Sequence, residues 1–150
     1  MGILTDLIKQ FASAREALER HAVRDTGDYA EVLVAEALKA CRNTSGVTKG
    51  FDVLCATRGK IEVRSRTLPR DGRNEDRLEI PRAKANGFAL LAGVLFNSDL
   101  TVRGGFLLPH DDAISLSSRQ KFLRIPFSVG AAHPNAQDIT QLLRDAQARV

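Results

Sequence analysis

The most constraining feature of the sequence is the stretch of residues 51–67, FDVLCATRGKIEVRSRT, which contains two short strand-like runs. Arg58-Gly59 separates the runs, and a glycine at that place is typical of a tight turn between strands. In the second run Ile61 and Val63 point to one face, because side chains alternate along a strand. The opposite face carries Lys60, Glu62, Arg64 and Arg66. The stretch therefore predicts a β-hairpin with one apolar and one charged face.

The charged face of this predicted hairpin includes an acidic pair. Such a hairpin allows Asp52, near the start of the first strand, to lie close to Glu62 across the ladder. Two carboxylates with a cationic residue two positions beyond the Glu are what a metal-dependent phosphodiesterase requires. A solvated strand face has much the same composition, so the pair alone is consistent with either interpretation.

The composition indicates a single folded domain with a modest basic excess. The chain has 150 residues, of which 43% are hydrophobic, enough to bury a core. The net charge is +4, and residues 58–84 contain nine Lys or Arg against five Asp or Glu. This basic excess beside the hairpin is compatible with a polyanionic partner such as nucleic acid.

Neither a membrane span nor a disulfide framework is predicted. No apolar run is long enough to cross a bilayer, and Asp6, Lys9 and Gln10 interrupt the N-terminal segment where a signal peptide would be apolar. Cys41 and Cys55 have no metal-type spacing. We expect two free thiols in a reducing, cytoplasmic environment.

Residues 1–24 are predicted to form an amphipathic helix. Apolar residues recur at three- and four-residue steps, at Ile3, Leu4, Leu7, Ile8, Phe11, Ala14, Leu18 and Ala22. The helix either packs against its own chain or forms a homodimer with a second copy, and the sequence is consistent with both.

A second helix is predicted from Asp28 to about Cys41, with Thr26 or Asp28 as the N-cap. It is largely apolar and therefore buried, but Glu31 and Glu36 interrupt it. The two carboxylates are about 140° apart around the helix and do not serve one site together. Glu31 lies in the first turn, where a carboxylate either complements the helix dipole or belongs to a site.

The charged segment of residues 68–81 is predicted to be a mobile excursion or an extended hairpin. Its arginines, together with Arg66, are able to reach a phosphate backbone. The predicted nucleic-acid-binding residues are Arg58, Arg66, Arg70 and Arg73.

The second half of the chain supplies further strands and a final helix. The continuous apolar run of residues 89–96 predicts a strand buried on both faces. Residues 100–108 predict an irregular strand with a bulge at Gly104-Gly105, and residues 113–127 a short helix or loop followed by a strand. A helix beginning at Asp138 or Thr140 ends near Arg149.

The order of these elements predicts an α/β domain in which helices flank a mixed central β-sheet. The domain covers residues 1–150, divided into an N-terminal helix (1–24), a core (26–127) and a C-terminal helix (136–150).

Three short motifs of the chain resemble those of the PD-(D/E)XK nuclease superfamily, which has the restriction-endonuclease-like fold. They are GDYAE at Glu31, GFD at Asp52 and IEVRS at Glu62. The resemblance covers residues 26–110. It implies a restriction-endonuclease-like core with an extra N-terminal helix.

The resemblance also implies a metal site and a substrate. Glu31, Asp52 and Glu62 match the carboxylates that hold Mg²⁺ or Mn²⁺ in the superfamily, and DNA is the implied substrate. Arg64 stands where the superfamily has a lysine. A guanidinium clamps a phosphate but does not act as a base, so we expect slow activity, or Lys60 on the same face as the substitute amine.

Three hypotheses follow from the sequence. The first is a small metal-dependent DNA nuclease in which Asp52, Glu62, Arg64 and Lys60 carry the reaction. The second is an inactive module on the same fold that binds DNA or a partner protein. The third is an unrelated, metal-free interaction domain that uses its first helix.

Overall fold

The computed structural model describes residues 2–44, 50–119 and 122–150. Within these ranges the helices are α1 (Ile3–Glu19), α2 (Thr26–Leu38), α3 (His110–Leu116), α4 (Phe127–Ala132) and α5 (Thr140–Arg149), and Arg82–Lys84 form a 3-10 turn. The strands are β1 (Cys41–Arg42), β2 (Val53–Cys55), β3 (Gly59–Thr67), β4 (Arg77–Pro81), β5 (Leu90–Phe96), β6 (Val102–Pro109), β7 (Ser118–Arg119), β8 (Phe122–Pro126) and β9 (Gln137–Asp138).

The main sheet has six strands in the order β1-β2-β3-β5-β6-β9. Its central pair, β3 and β5, is parallel, whereas the other neighbours are antiparallel. The predicted hairpin is present as β2 and β3, with Val53 opposite Ile61. The predicted α/β class, a mixed sheet flanked by helices, is therefore confirmed.

The sheet separates two hydrophobic cores because the strands β5 and β6 carry apolar side chains on both faces. On one face Val63, Val94 and Phe96 pack with Leu33 of α2 and Leu143 of α5. On the other face a second core is formed by Leu78, Ile80, Leu91, Phe106, Leu108, Leu123 and Ile125. The continuous apolar run of β5 is thus explained by burial on both sides, as predicted.

The second core lies under a small sheet that the sequence interpretation missed. This sheet has the order β4-β8-β7, and Leu78 pairs with Ile125. The prediction that all of residues 68–81 form a mobile excursion or an extended hairpin is wrong, because β4 is a strand whose partner lies more than 40 residues away in sequence. Leu78 and Ile80 are two residues apart on β4 and both are buried, so they form the apolar face of this strand.

The later predicted elements are found close to their expected positions. The strand β6 and the final helix α5 are both present. An irregularity is present at the predicted Gly104-Gly105. Leu95 of β5 pairs with Gly104 of β6, whereas the next residue, Phe96, pairs with Val102, so the register shifts between them. The predicted short helix is α3, and it begins earlier than expected, at His110.

The second helix differs at both ends from its prediction. Asp25, not Thr26 or Asp28, is the N-cap, and its side chain accepts a hydrogen bond from the Asp28 N–H. The helix ends at Leu38 because Lys39 adopts a left-handed conformation with φ of 51°. Cys41 then enters the sheet opposite Leu54.

The first helix, α1, does not pack against the described part of its own chain. None of its residues is buried, so the packing-helix interpretation is wrong. No helix within the described ranges is long and apolar enough to span a membrane. Cys41 and Cys55 are free thiols, the first exposed and the second buried.

Gly93 on β5 provides a test of the second core. A Cβ at this position would lie 2.4 Å from Cε2 of Phe106 and 2.9 Å from Cδ1 of Leu78. We expect Gly93→Ala to lower the free energy of unfolding by about 1–3 kcal/mol, the usual cost of overpacking. Urea unfolding measures the loss. The control is Gly2→Ala, because a Cβ at Gly2 meets nothing within 4 Å. Equal loss in both variants would contradict the packing of Phe106 onto Gly93.

Candidate functional site

A polar cleft with a volume of about 440 Å³ lies beside β3. The first turn of α2, the residue before β2, the middle of β3, β4 and the 3-10 turn form its walls. The residues that line it include Glu31, Asp52, Arg64, Arg66, Arg77 and Lys84. Asp52 and Glu31 thus line one cleft, whereas Glu62 is fully buried and is not among the residues that line it.

Asp52 and Glu62 are brought together by the hairpin. The Asp52 N–H donates to the Ile61 carbonyl at 2.9 Å, which extends the β2–β3 ladder by one residue. One carboxylate oxygen of Asp52, Oδ2, accepts a hydrogen bond of 2.9 Å from the Val63 N–H. Asp52 is therefore held to the backbone on either side of Glu62, through its own N–H at Ile61 and through its carboxylate at Val63.

Glu62 is the most unusual side chain of the site because it is completely buried, with 0% of its surface exposed. Its Oε2 accepts two hydrogen bonds from Arg64, at 2.9 Å and 2.6 Å. Its Oε1 is buried without a hydrogen-bond partner. Burial and the negative charge of Asp52 raise the pKa of Glu62 to about 7, against the opposing effects of Arg64 and Lys84.

An amine that the sequence interpretation did not include completes this cluster. Nζ of Lys84, at the end of the 3-10 turn, lies 3.6 Å from Oδ1 of Asp52 and 3.8 Å from Oε2 of Glu62. Lys60 instead places Nζ 5.3 Å from the ring centre of Phe51 and is not among the cleft-lining residues. No local pattern marks Lys84 as functional, because it is a single lysine in a turn.

Two contacts position the segment that carries Lys84. The imidazole of His110 forms a hydrogen bond through Nε2 to the carbonyl of Ala85, the next residue. Gly87 lies against Gly50 so closely that a Cβ on Gly87 would be 2.4 Å from the Gly50 carbonyl oxygen. The 3-10 turn is thereby held beside the hairpin, within reach of both carboxylates.

Glu31 lies near the acidic pair but is bound to an arginine. Its Oε1 accepts a hydrogen bond of 3.1 Å from Nε of Arg42. Arg42 also forms an ion pair of 3.0 Å with Asp28 and donates to the Ala22 carbonyl at 2.6 Å. Burial and then Asp52 raise the pKa of Glu31, which indicates that the two carboxylates interact. Glu36, the other carboxylate of α2 noted in the sequence, forms an ion pair of 2.9 Å with Arg149 and does not line the cleft.

The four predicted nucleic-acid-binding arginines are not brought to one place. Arg66 lines the cleft and contacts Glu75. Arg58 donates to Gln137 at 2.6 Å, outside the residues that line the cleft.

The other two arginines lie in the charged segment before β4. Arg73 pairs with Asp71 and Glu75, and Arg70 is exposed. Arg77, which belongs to the arginines of this segment that were expected to be able to reach a phosphate, lines the same cleft as Arg66. Arg66 and Arg77 are thus the pair best placed to contact a phosphate next to the acidic cluster.

The acidic pair offers oxygen atoms of the kind that a hard divalent cation binds, but the cluster is not a ready-made cage. Within residues 2–44, 50–119 and 122–150, no three His, Cys, Asp or Glu side chains form a metal-binding group. Arg42 occupies one oxygen of Glu31, and Arg64 occupies one oxygen of Glu62. The free Oε1 of Glu62 and the carboxylate of Asp52 nevertheless suit Mg²⁺, which takes oxygen ligands and keeps several waters.

A scan of protein-family models found none that matches the chain, and a search of curated proteins found no matching sequence.

The pKa of Glu62 predicts how stability depends on pH in the metal-free protein. In the folded chain the Glu62 carboxyl keeps its proton up to about pH 7. In the unfolded chain it loses the proton near its ordinary pKa of 4.5. The free energy of unfolding therefore falls as the pH rises from 4.5 to about 7, by up to about 3 kcal/mol from this group. We expect Glu62→Gln to remove that part of the slope.

Urea unfolding in the presence of a chelator, repeated across this pH range, measures the slope. The parent and Glu62→Gln are compared with Glu36→Gln, which alters a half-exposed carboxylate outside the cleft. A Glu62→Gln protein with the same slope as the parent would show that Glu62 ionises freely in the folded chain.

Proposed function

We propose that this protein is a divalent-metal-dependent nuclease that hydrolyses phosphodiester bonds of DNA, on a fold related to the PD-(D/E)XK superfamily. The observation that carries the proposal is the buried Glu62, with one carboxylate oxygen unpaired, beside Asp52 and Lys84. A carboxylate is rarely buried in this way without a function, because burial disfavours its charged form.

The acidic cluster would hold Mg²⁺ or Mn²⁺ through Asp52 and Glu62. Glu31 is the third ligand expected from the superfamily, and its Oε1 is hydrogen-bonded to Arg42. When bound, the cation neutralises negative charge that develops on the phosphate oxygens during cleavage. The hydrogen bond from the Val63 N–H fixes the orientation of the Asp52 carboxylate.

Two residues, Lys84 and Arg64, together take the roles of the single lysine of the superfamily motif. Lys84 contacts both carboxylates and presents an amine that can orient water or exchange a proton. Arg64 neutralises Glu62 from the other side and presents a guanidinium suited to a phosphate oxygen. The missing motif lysine is therefore replaced from another element of the chain.

DNA binding is supported by the position of the basic residues. Arg66 and Arg77 line the cleft next to the carboxylates, where they would contact phosphates on either side of the bond that is cut. Of the nine basic residues in the segment 58–84, four line the cleft, namely Arg64, Arg66, Arg77 and Lys84. Affinity for DNA is expected to fall with salt, because each phosphate contact releases counterions.

Cleavage kinetics distinguish the two candidate amines. We expect Lys84→Met to slow Mn²⁺-dependent nicking of supercoiled plasmid by about 10²–10⁴-fold, the usual contribution of a proton-transfer group, and Asp52→Asn to slow it at least as much. Lys60→Met is the matched comparison, because Lys60 lies over Phe51 and not in the cleft. A large loss in Lys60→Met with none in Lys84→Met would assign the amine to Lys60. Full activity in Asp52→Asn would rule out the mechanism.

Metal binding is measured independently of cleavage by thermal unfolding. At a Mn²⁺ concentration 100 times the Kd, one site adds about 2.7 kcal/mol to the free energy of unfolding. For a chain of this size the Tm would rise by about 5–10 °C. We expect this rise in the parent and in Glu36→Gln, and its loss in Asp52→Asn. The rise should be smaller at pH 5.5 than at pH 8, because a proton on Glu62 competes with the metal.

A second candidate function is an inactive module that binds DNA without cutting it. The paired hydrogen bonds from Arg64 favour this alternative, because they already neutralise the carboxylate that a metal would need. Such a module would show salt-sensitive DNA binding, no cleavage, and no rise of Tm with Mn²⁺. Cleavage that begins only in Arg64→Lys would instead identify a nuclease that has lost activity at this position.

A further inference from the structure

The nuclease proposal leaves the exposed apolar face of α1 unused. Six large side chains of α1 are 49–74% exposed: Ile3, Leu4, Leu7, Ile8, Phe11 and Leu18. The polar face of the helix, in contrast, is internally paired, with ion pairs between Arg15 and Glu19 and between Glu16 and Arg20. A helix with one paired polar face and one bare apolar face requires a partner.

The bare face has the spacing of a coiled-coil seam. Its central residues follow each other at alternating steps of three and four, in the order Leu4, Leu7, Phe11, Ala14 and Leu18. This heptad spacing suits another helix, because knobs at these positions enter holes on a facing helix. A helix that lies on a membrane usually has a basic polar face, whereas residues 3–20 contain three basic and three acidic side chains.

We propose that α1 pairs with α1 of a second copy of this chain in an antiparallel two-helix seam. In that orientation Phe11 of one copy faces the small Ala14 of the other, and Leu7 faces Leu18, each pair occurring twice about the two-fold axis. A parallel pair would place Phe11 against Phe11 and Ala14 against Ala14, which crowds one layer and leaves a gap in the next.

The area of the face is sufficient for a stable dimer. A large apolar side chain offers about 100 Å² of apolar surface, so the six exposed side chains offer roughly 600 Å² per copy. Two copies then bury roughly 1,200 Å², the lower limit of a specific interface. An apolar cavity of about 330 Å³ continues the seam from Leu18 to Val23, Tyr29 and Leu100 on the body of the protein, where the N-terminal end of the partner helix would extend the contact.

The mass of the full chain in solution tests the dimer. We expect sedimentation or light scattering to give twice the monomer mass of 16.4 kDa, and Leu7→Glu to give the monomer mass. The matched control is Ser13→Glu, which adds the same charge on the opposite face of the same helix and should remain dimeric. Because no residue of α1 is buried, both variants should fold, and far-UV circular dichroism checks that they do.

Two results would overturn the dimer. One is a parent protein that is monomeric at every concentration measured, whether or not it binds vesicles of phosphatidylcholine and phosphatidylserine. The other is a Leu7→Glu protein that is as dimeric as Ser13→Glu.

Cysteine cross-linking tests the antiparallel orientation. In a Cys41→Ser background, which removes the exposed native thiol, Phe11→Cys and Ala14→Cys proteins are prepared separately and then mixed under mild oxidation. The antiparallel seam predicts cross-links between unlike variants in the mixture. Cross-links within each variant alone, and none between them, would show a parallel seam and overturn the orientation.

Discussion

The burial of one carboxylate in the central sheet governs the arrangement of the site. Glu62 lies on β3 with no exposed surface, and a buried negative charge is unstable unless cations or hydrogen-bond donors surround it. Arg64 and Lys84 provide that compensation at one oxygen, from the same strand and from a turn 22 residues later. The other oxygen has none. The site is therefore organised around a charge that is only half compensated.

The hairpin and the main strands were predictable from the sequence because their signals are local. Alternation along β3, the Gly59 turn and the unbroken apolar run of β5 each determine an element without reference to distant residues. Asp52 and Glu62 follow directly from that hairpin, since its register brings them together. The packing of α1 was not predictable, because the same amphipathic pattern serves a core and an interface between chains equally well.

The missed features depend on contacts between residues distant in sequence. β4 pairs with β8, so that Leu78 lies opposite Ile125, 47 residues further along the chain, and no local pattern predicts that partner. Lys84 reaches the carboxylates only because the small sheet and the close contact of Gly87 with Gly50 place its turn there. The role of Arg42 was missed for the same reason, because its hydrogen bond to Glu31 joins α2 to the two-residue strand β1.

The contact between Gly50 and Gly87 has a geometric consequence. Two backbones touch where neither residue has a side chain, so the distance between the hairpin and the turn of Lys84 is set by the absence of two methyl groups. Any larger residue at position 87 acts as a spacer that moves one wall of the cleft outwards. The width of the polar cleft is thus set by a pair of glycines that do not themselves line it.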